Sequence, residues 1–244
     1  MPVAFVIGGA RRLGRSISLR LASAGYDVGI TYHTSKLHAE TLQQEISQIG
    51  LECIVSCCDL RDEQALYSSW NALVQALGMP DLVVVAAGVF PDAQDPVNIA
   101  PEQFIDAIRV NALPLVVLAG LYSGLCSKAQ RTGRIVSIGS LGATEIWKDR
   151  LLYNSSKSAA RTAALSLARS LAPQVSINIV APGAIAQPHD ATEADRRLIP
   201  AERIPMQRHG TDADVCDAVM FFATSSNYIT GQTIYVDGGY GLTR

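Results

Sequence analysis

Residues 3–14 read VAFVIGGARRLG, an apolar run that leads into a glycine-containing turn and then into a helical pattern. The run Val3–Ile7 predicts a short buried strand, and the spacing of Leu13, Ile17 and Leu21 predicts the helix that follows. Glycines permit a tight turn, and the N-terminus of a helix favours an anionic phosphate. This stretch predicts the first strand, phosphate-binding turn and helix of an α/β protein, although such a turn can also be purely structural.

Apolar strand-like runs alternate with helical patterns along the rest of the chain. Further strands are predicted at Val28–Tyr32, Glu52–Ser56, Leu82–Ala87, Ile135–Ile138, Val175–Val180 and Thr233–Val236, and helices cover Pro101–Val110, Leu113–Gln130 and the residues after Tyr153. Such alternation implies right-handed crossovers and a parallel sheet. The predicted fold is one doubly wound Rossmann domain over residues 1–244, with a seven-stranded parallel sheet flanked by helices. An irregular segment at about 183–208 is predicted to be a substrate lid.

Composition narrows the classes of function. The 244 residues are 48% hydrophobic, and the net charge of −2 gives no basic surface for nucleic acid. The longest apolar stretch, Leu82–Phe90, is far shorter than the roughly 20 residues of a membrane helix. The arginines follow the first apolar run, whereas a signal peptide begins with positive charge, so a cytoplasmic protein is expected. The five cysteines show no metal-ligand spacing, which predicts reduced thiols and no metal site.

A tyrosine and a lysine four residues apart are the strongest functional signal. Tyr153 and Lys157 would lie on one face of a helix. An ammonium group beside a phenol lowers the pKa of the phenol, which could then transfer a proton near neutral pH. Ser140 follows the predicted strand Ile135–Ile138, and ligands of open α/β sheets bind outside the carboxyl ends of the strands. We therefore expect Ser140 to lie beside Tyr153.

The segment after the second strand bears on the choice of dinucleotide. Residues 32–36 read YHTSK, and no acid follows until Glu40. A carboxylate here would bind the 2′-hydroxyl of NAD, whereas hydroxyls, an imidazole and an ammonium group suit a 2′-phosphate. Arg12 in the glycine turn adds positive charge. These features predict NADP, with NAD less favoured; the alternative is that they are ordinary solvated loop residues.

Several other motifs stand at matching places along the chain. They are Cys58-Asp59-Leu60 after the third strand, Arg109-Val110-Asn111-Ala112, Asn178–Gly183 with its Pro182-Gly183, and Ile229–Gln232 followed by Val236–Gly239. With the glycine turn and the Ser140, Tyr153 and Lys157 set, they make the chain resemble the short-chain dehydrogenase/reductase family over essentially its whole length.

The resemblance assigns residues to two groups. It implies that Ser140, Tyr153, Lys157 and Asn111 are catalytic. It implies cofactor binding by Gly8, Arg12, Leu13, Gly14, His33, Thr34, Ser35, Asp59, Leu60, Ala87, Gly88, Tyr153, Lys157, Pro182, Gly183 and Ile185.

Three positions depart from the family pattern. Arg12 replaces the middle glycine of the turn, which resembles a pteridine-reductase-like branch that prefers NADPH, although that branch commonly has Asp where this chain has Ser140. Ala86 replaces an asparagine after the fourth strand. Gln187 replaces a threonine that helps to hold the nicotinamide carboxamide.

The implied activity is NADP(H)-dependent hydride transfer to a carbonyl or C=N group of a small molecule. In it Tyr153 donates the proton, Lys157 lowers the pKa of Tyr153 and binds the ribose, Ser140 binds the substrate oxygen, and Asn111 positions a water molecule. A dihydropterin reductase and a 3-oxoacyl reductase are alternatives within this class. A non-catalytic, dinucleotide-binding or redox-sensing protein is the alternative of another class. The resemblance also implies a homotetramer that pairs the helix Leu113–Gln130 with the Tyr153 helix.

Overall fold

The computed structural model describes residues 1–186 and 199–243, and its centre is a parallel sheet of seven strands. The strands are β1 (Val3–Ile7), β2 (Asp27–Tyr32), β3 (Cys53–Cys57), β4 (Leu82–Val85), β5 (Gly133–Ile138), β6 (Val175–Pro182) and β7 (Thr233–Val236). The helices are α1 (Arg12–Ser23), α2 (Lys36–Gln48), α3 (Glu63–Leu77), α4 (Pro101–Asn111), α5 (Leu113–Ala129), α6 (Leu151–Ser170) and α7 (Asp212–Thr224). The predicted doubly wound α/β fold is confirmed. Residues 187–198, which belong to the predicted lid, lie outside the described residues.

The strand order places a crevice in the middle of the sheet. The order is β3-β2-β1-β4-β5-β6-β7, so the direction of winding reverses between β1 and β4. One apolar layer packs α1, α2 and α7 on one face, and a second packs α3, α5 and α6 on the other. Ligands of such sheets bind where the winding reverses, outside the carboxyl ends of the strands. The ends of β1 and β4 therefore border the expected site.

Several element boundaries differ from those expected by one or two residues, and two of them, at the ends of β4 and β6, bear on the site. β4 ends at Val85, because the amides of Ala86 and Ala87 both donate to the Ile7 carbonyl oxygen, at 3.0 and 2.8 Å, and the chain leaves the strand. β6 continues to Pro182, where it still pairs with Val236. The last two residues of the apolar run 82–87 therefore border the cofactor crevice and do not extend the sheet.

Helix α7 was not predicted from the sequence. A capping box begins it: the Thr211 hydroxyl accepts from the Asp214 amide at 3.4 Å, and the Asp214 carboxylate accepts from the Thr211 amide at 2.7 Å. Its buried residues lie on one face, but the opposite, exposed face also carries the apolar Ala213 and Phe221, so the amphipathic pattern is weak. The capping box was the available sequence signal.

The chain turns slightly between α4 and α5. Ala112, with φ −123°, separates the two helices, and Pro114 stands in the first turn of α5, where a missing amide hydrogen is tolerated. By length and composition alone, residues 101–129 form a helical stretch apolar enough to cross a membrane. Leu115, Leu118 and Tyr122 on this stretch are buried in the protein, as in a core helix.

Candidate functional site

The glycine turn joins the ends of three strands. Gly8, with φ +81°, has the left-handed conformation that favours glycine, and a Cβ on it would lie 2.7 Å from Ala87 at the end of β4. The Gly8 amide donates to the Thr31 hydroxyl at 3.0 Å, and the Gly9 amide donates to the Thr31 carbonyl oxygen at 3.1 Å. A Cβ on Gly14 would lie 2.0 Å from the Gly8 carbonyl oxygen, so α1 packs against the turn at a distance that only glycine allows.

The beginning of α1 suits an anionic group. Arg12 has φ +51°, so the arginine that replaces the family glycine keeps the backbone conformation that glycine favours. The first turn contains no acid, and the residue that precedes the helix makes no side-chain capping hydrogen bond. Leu13 packs against the apolar layer below the turn. A glycine turn with uncapped amides fits the pyrophosphate of a dinucleotide.

A polar cluster surrounds the ends of β2 and β3. His33 Nε2 lies 3.6 Å from Asp59 Oδ2, and the Arg61 amide donates to Asp59 Oδ1 at 3.0 Å. The Arg61 backbone hydrogen bond, with His33 and the Arg61 charge, lowers the pKa of Asp59. Leu60 and Ala87 are partly buried against the apolar layer that packs α3, α5 and α6 on the sheet. Asp59 is thus an ordered carboxylate at one of the positions that the family resemblance implies for cofactor binding.

The residues expected to bind a 2′-phosphate lie at the beginning of α2. His33 and Thr34 are exposed, and Ser35 precedes the helix without a side-chain capping hydrogen bond. Lys36 Nζ lies 3.7 Å from Glu40 Oε1, both side chains being largely exposed. The first turn of α2 contains no acid. Hydroxyl, imidazole and ammonium groups therefore surround the N-terminus of α2.

Ser140 and Tyr153 meet at the carboxyl end of β5. The Ser140 hydroxyl accepts a hydrogen bond from the Gly142 amide at 3.1 Å, and its side chain lies close enough to Tyr153 to lower the pKa of the phenol. The short 3₁₀ turn Leu141–Ala143 carries the chain over this site, and a Cβ on Gly142 would lie 3.1 Å from the Tyr153 ring. The structure thus brings together the serine and the tyrosine that the sequence singled out.

Lys157 is buried one turn further along α6. It is 6% exposed, and its Nζ donates to the Ile138 carbonyl oxygen at 3.1 Å. A Cβ on Gly88 would lie 3.3 Å from Lys157 Nζ and 3.0 Å from Asn111 Oδ1. Gly88 therefore separates the two groups, and a side chain at this position would contact both.

Asn111 ties the loop after β4 to α6. Its Oδ1 accepts from the Val89 amide at 2.7 Å, and its Nδ2 donates to the Val89 carbonyl oxygen at 3.0 Å. Nδ2 also donates to the Ser156 hydroxyl at 2.8 Å. Because α4 ends at Asn111, the side chain projects from the helix terminus towards this loop. The structure supports a positioning role for Asn111, in addition to the expected binding of water.

Aromatic rings border Tyr153. The Phe90 ring lies 4.4 Å from the Tyr153 ring between centroids, in an edge-to-face arrangement, and the Trp147 ring is stacked at 5.8 Å. Trp147 Nε1 donates to the buried Glu145 carboxylate at 3.3 Å. Phe90 is 40% exposed, so this aromatic wall can contact a ligand.

For the protein without a bound cofactor, the prediction that Lys157 lowers the pKa of Tyr153 is wrong. Burial raises the pKa of Tyr153, and the hydrogen bond to Ser140 and the charge of Arg150 only partly oppose it. Burial also lowers the pKa of Lys157, to about 8. The sequence spacing predicted the contact face but could not predict how much water the fold removes from both groups.

The remaining predicted cofactor residues lie beside the end of β6. The Gly183 amide donates to the Val236 carbonyl oxygen at 2.9 Å, and a Cβ on Gly183 would lie 2.8 Å from Asp237. Ile185 forms an isolated parallel bridge with Gly210. Pro182, the last residue of β6, leads into this segment. The neighbouring Gln187 lies outside the described residues.

Sequence reasoning missed three residues that position the site. Thr31 holds the glycine turn, Ser156 holds Asn111, and Arg150 lies with its Cζ 4.3 Å from the centre of the Phe90 ring. Ser156 lies between Tyr153 and Lys157 on the same helix, and this closeness in sequence could have drawn attention to it. The other two act through long-range contacts that spacing does not reveal.

Comparisons with known proteins agree with this geometry. Residues 8–241 match a family model described as enoyl-(acyl carrier protein) reductase. The chain is 30% identical to a 3-oxoacyl-(acyl-carrier-protein) reductase of Staphylococcus aureus, over 97% of this chain and 96% of the relative. It is also 30% identical to a cyclohexanol dehydrogenase of a Rhodococcus species, over 97% of this chain and 95% of the relative. The crystal structure of an acetoin dehydrogenase from Enterobacter cloacae superposes with a TM-score of 0.90 at 25% identity, covering 100% of this chain and 96% of the other.

Burial of Lys157 predicts a pH-dependent contribution to stability. Between about pH 8 and pH 10 the folded protein loses the Lys157 proton, whereas the unfolded chain, with a lysine pKa of 10.5, retains it. The destabilising cost of the buried charge therefore disappears as the pH rises. Relative to Lys157→Met, the unfolding free energy of the wild type should increase by at most about 1.4 kcal/mol per pH unit.

Urea unfolding of both proteins at several pH values between 7 and 10 measures this difference. Lys128→Met, which removes an exposed lysine of α5, is the control and should give a curve parallel to that of the wild type. A constant difference between the wild type and Lys157→Met would contradict the assignment of a depressed pKa.

Proposed function

Because the chain belongs to the short-chain dehydrogenase/reductase family, we propose that it is an NADP(H)-dependent enzyme that reduces a carbonyl or C=N group of a small molecule. The observation that carries the proposal is the placement of Ser140 and Tyr153 next to each other at the carboxyl end of β5, one turn of α6 from the buried Lys157. This set lies at the carboxyl edge of the sheet whose glycine turn fits a dinucleotide. A non-catalytic dinucleotide-binding protein would not need a serine, a tyrosine and a lysine held in this arrangement.

The proposed division of labour follows from the contacts. A bound NADPH would supply the hydride to the substrate carbon. Tyr153 donates its hydroxyl proton to the substrate oxygen, and the Ser140 hydroxyl donates a hydrogen bond to the same oxygen as negative charge develops there. Lys157, a buried ammonium group at neutral pH, is placed to bind the ribose hydroxyls of the cofactor. Asn111 holds Val89 and orders the loop beside Gly88.

The choice of NADP rests on the beginning of α2. His33, Thr34, Ser35 and Lys36 supply donors around an uncapped helix N-terminus, and a 2′-phosphate there would accept charge-assisted hydrogen bonds. Arg12 adds positive charge from the glycine turn. A carboxylate suited to the 2′-hydroxyl of NAD is missing from residues 32–36.

The substrate is proposed to be a small carbonyl compound, with a dihydropterin as the second candidate. The edge-to-face Phe90 and the stacked Trp147 make a flat apolar wall beside Tyr153, which suits an unsaturated ring. The relative named as a 3-oxoacyl-(acyl-carrier-protein) reductase favours a test of 3-oxoacyl thioesters as well. Activity on dihydropterins against activity on such thioesters discriminates the two.

The proposed assembly is a homotetramer in the cytoplasm. Leu113, Val116, Gly120 and Gly124 make an exposed stripe of apolar and small residues along α5, and nothing lies within 4 Å of a Cβ built on either glycine. A second copy of the chain would cover this stripe with α5 and α6. The five cysteines are free thiols, which suits a reducing compartment.

Replacement of the proposed proton donor is the first test. Tyr153→Phe should lower kcat by about a hundredfold to ten-thousandfold, because the general acid is lost, while NADPH still stabilises the protein against heat. NADPH oxidation with a panel of carbonyls and dihydropterins measures the rate, and Tyr228→Phe, at a fully exposed tyrosine, is the control. Turnover by Tyr153→Phe within a few-fold of the wild type would refute the assignment.

Cofactor preference can be measured without a substrate. NADPH should raise the melting temperature more than NADH at equal concentration. Thr34→Asp should reduce the shift with NADPH and spare that with NADH, because a carboxylate repels a 2′-phosphate. Lys36→Met should weaken NADPH binding by about tenfold, as expected for one lost charge-assisted hydrogen bond, with Lys128→Met as control. A larger shift with NADH for the wild type would mean that the proposed phosphate site is wrong.

The α5 stripe predicts the oligomeric state. Sedimentation equilibrium should show a tetramer for the wild type and a smaller species for Gly120→Glu, because a buried carboxylate at the helix interface has no counter-charge. Gln75→Glu puts a carboxylate on the exposed face of α3 and should leave the tetramer intact. A monomeric wild type would contradict this proposal but not the proposed chemistry.

A further inference from the structure

The loop that follows β4 is tied to the residues that begin the catalytic helix. The Gln94 amide donates to the Asp149 carbonyl oxygen at 3.1 Å, and Arg150 Nη1 donates to the Pro91 carbonyl oxygen at 2.6 Å. The Arg150 guanidinium carbon lies 4.3 Å from the centroid of the Phe90 ring. Two hydrogen bonds and a cation–π contact therefore hold residues 90–94 against the N-terminus of α6.

This contact continues to the proposed proton donor. The Phe90 ring, over which the Arg150 guanidinium lies, makes an edge-to-face contact with the Tyr153 ring, with 4.4 Å between the centroids. Arg150 directly precedes α6, and its carbonyl oxygen accepts from the Asn154 amide at 2.8 Å. The side chain and the backbone of one residue thus reach both the substrate-side loop and the first turn of the helix that presents Tyr153.

We propose that Arg150 is a positioning residue for the reaction, which holds the Phe90 loop against Tyr153 and supplies a permanent positive charge near the phenol. The inference rests on the proposed function, in which Tyr153 donates the proton. Arg150 is not a catalytic residue in this proposal, because it acts through Phe90 and through its charge.

The choice of arginine has a physical reason. A planar guanidinium can lie over an aromatic ring while its edge donates to a carbonyl oxygen, which the compact ammonium of lysine does less well. An arginine also stays protonated at every pH at which the enzyme is stable. Lys157, whose pKa burial lowers to about 8, does not.

Charged groups stand on the segments that contact Tyr153 through Phe90 and Trp147 and on its own helix. Arg150 and Lys157 belong to its own helix region, Glu145 and Asp149 to the segment before it, and Asp92 to the loop that carries Phe90. Among the described residues, Arg150 is the charged group that lowers the pKa of Tyr153, against the larger effect of burial. Loss of Arg150 should therefore make the phenol a weaker acid.

The decisive variants are Arg150→Met, Arg150→Lys and, as a matched control from the exposed last turn of α6, Arg169→Met. Hydrogen–deuterium exchange of the ligand-free protein should accelerate in residues 88–95 of Arg150→Met and stay unchanged in Arg169→Met. Phe90→Leu removes the ring but keeps the Pro91 hydrogen bond, and should accelerate exchange less. This measurement needs neither cofactor nor substrate.

The second readout is the pH profile of turnover. Arg150→Met should lower kcat by about tenfold, which corresponds to about 1.4 kcal/mol of activation free energy, and leave the KM for NADPH unchanged. The inflection of kcat/KM that reports Tyr153 should move to higher pH, and Arg150→Lys should restore part of this shift because it restores the charge.

The outcomes separate this inference from the proposed function. Unchanged exchange in residues 88–95 of Arg150→Met overturns the positioning role, and a superimposable pH profile overturns the electrostatic role. If Arg150→Met does not fold, Arg150→Lys and Phe90→Leu give the same decision from exchange. If the wild type oxidises no NADPH with any substrate while Arg150→Met still accelerates exchange, the proposed function fails and the structural contact stands.

Discussion

The ammonium group of Lys157 is buried at the carboxyl end of β5, where it donates to the Ile138 carbonyl oxygen. Removing a charged group from water costs several kcal/mol unless hydrogen bonds replace the lost solvent. The fold meets this requirement by bringing α6 onto the sheet edge, with Gly88 and Asn111 on the other side of the amine. The same packing brings Tyr153 to Ser140, so the proposed catalytic arrangement depends on how this one charge is buried.

The cofactor end shows a similar constraint in the backbone. Gly14 packs so closely on the Gly8 carbonyl oxygen that no side chain fits, and Thr31 binds both amides of the turn. Arg12 has a left-handed conformation, which costs a non-glycine residue roughly 1–2 kcal/mol. The surrounding contacts hold this conformation, and a cationic side chain begins at the proposed phosphate site. The departure from the family glycine thus changes the charge of the turn and preserves its shape.

Two positive charges act on the tyrosine region in different ways. Lys157 is buried and its pKa is lowered, so its charge depends on pH in the range where enzymes work. Arg150 remains charged and is oriented by the Phe90 ring and the Pro91 carbonyl oxygen. Burial raises the pKa of Tyr153, and a positive charge that does not titrate opposes this increase at every pH. The loop after β4 therefore borders the proposed substrate site and also shapes the environment of Tyr153, the proposed proton donor.

The sequence by itself determined the fold class and singled out the residues that meet at the candidate site, because both depend on local periodicity and short spacings. Short stretches of sequence were enough to predict these elements and their positions, since each pattern spans no more than about twenty residues. They are the run from Val3 to Gly14, the strand before Ser140, and the pair Tyr153 and Lys157. Helix α7 was missed because its exposed face also carries apolar residues, Ala213 and Phe221, which leaves little amphipathic signal.

Only the tertiary structure decided the electrostatics of the site and the contacts between distant segments. The direction of the Tyr153 pKa shift depends on how much water the fold removes, and the sequence alone predicted the opposite sign. The partners of Asn111, Thr31 and Arg150 lie 22 to 59 residues away in the chain. Such pairs form because parallel strands place their carboxyl ends at one edge of the sheet, a relationship in space that residue spacing does not contain.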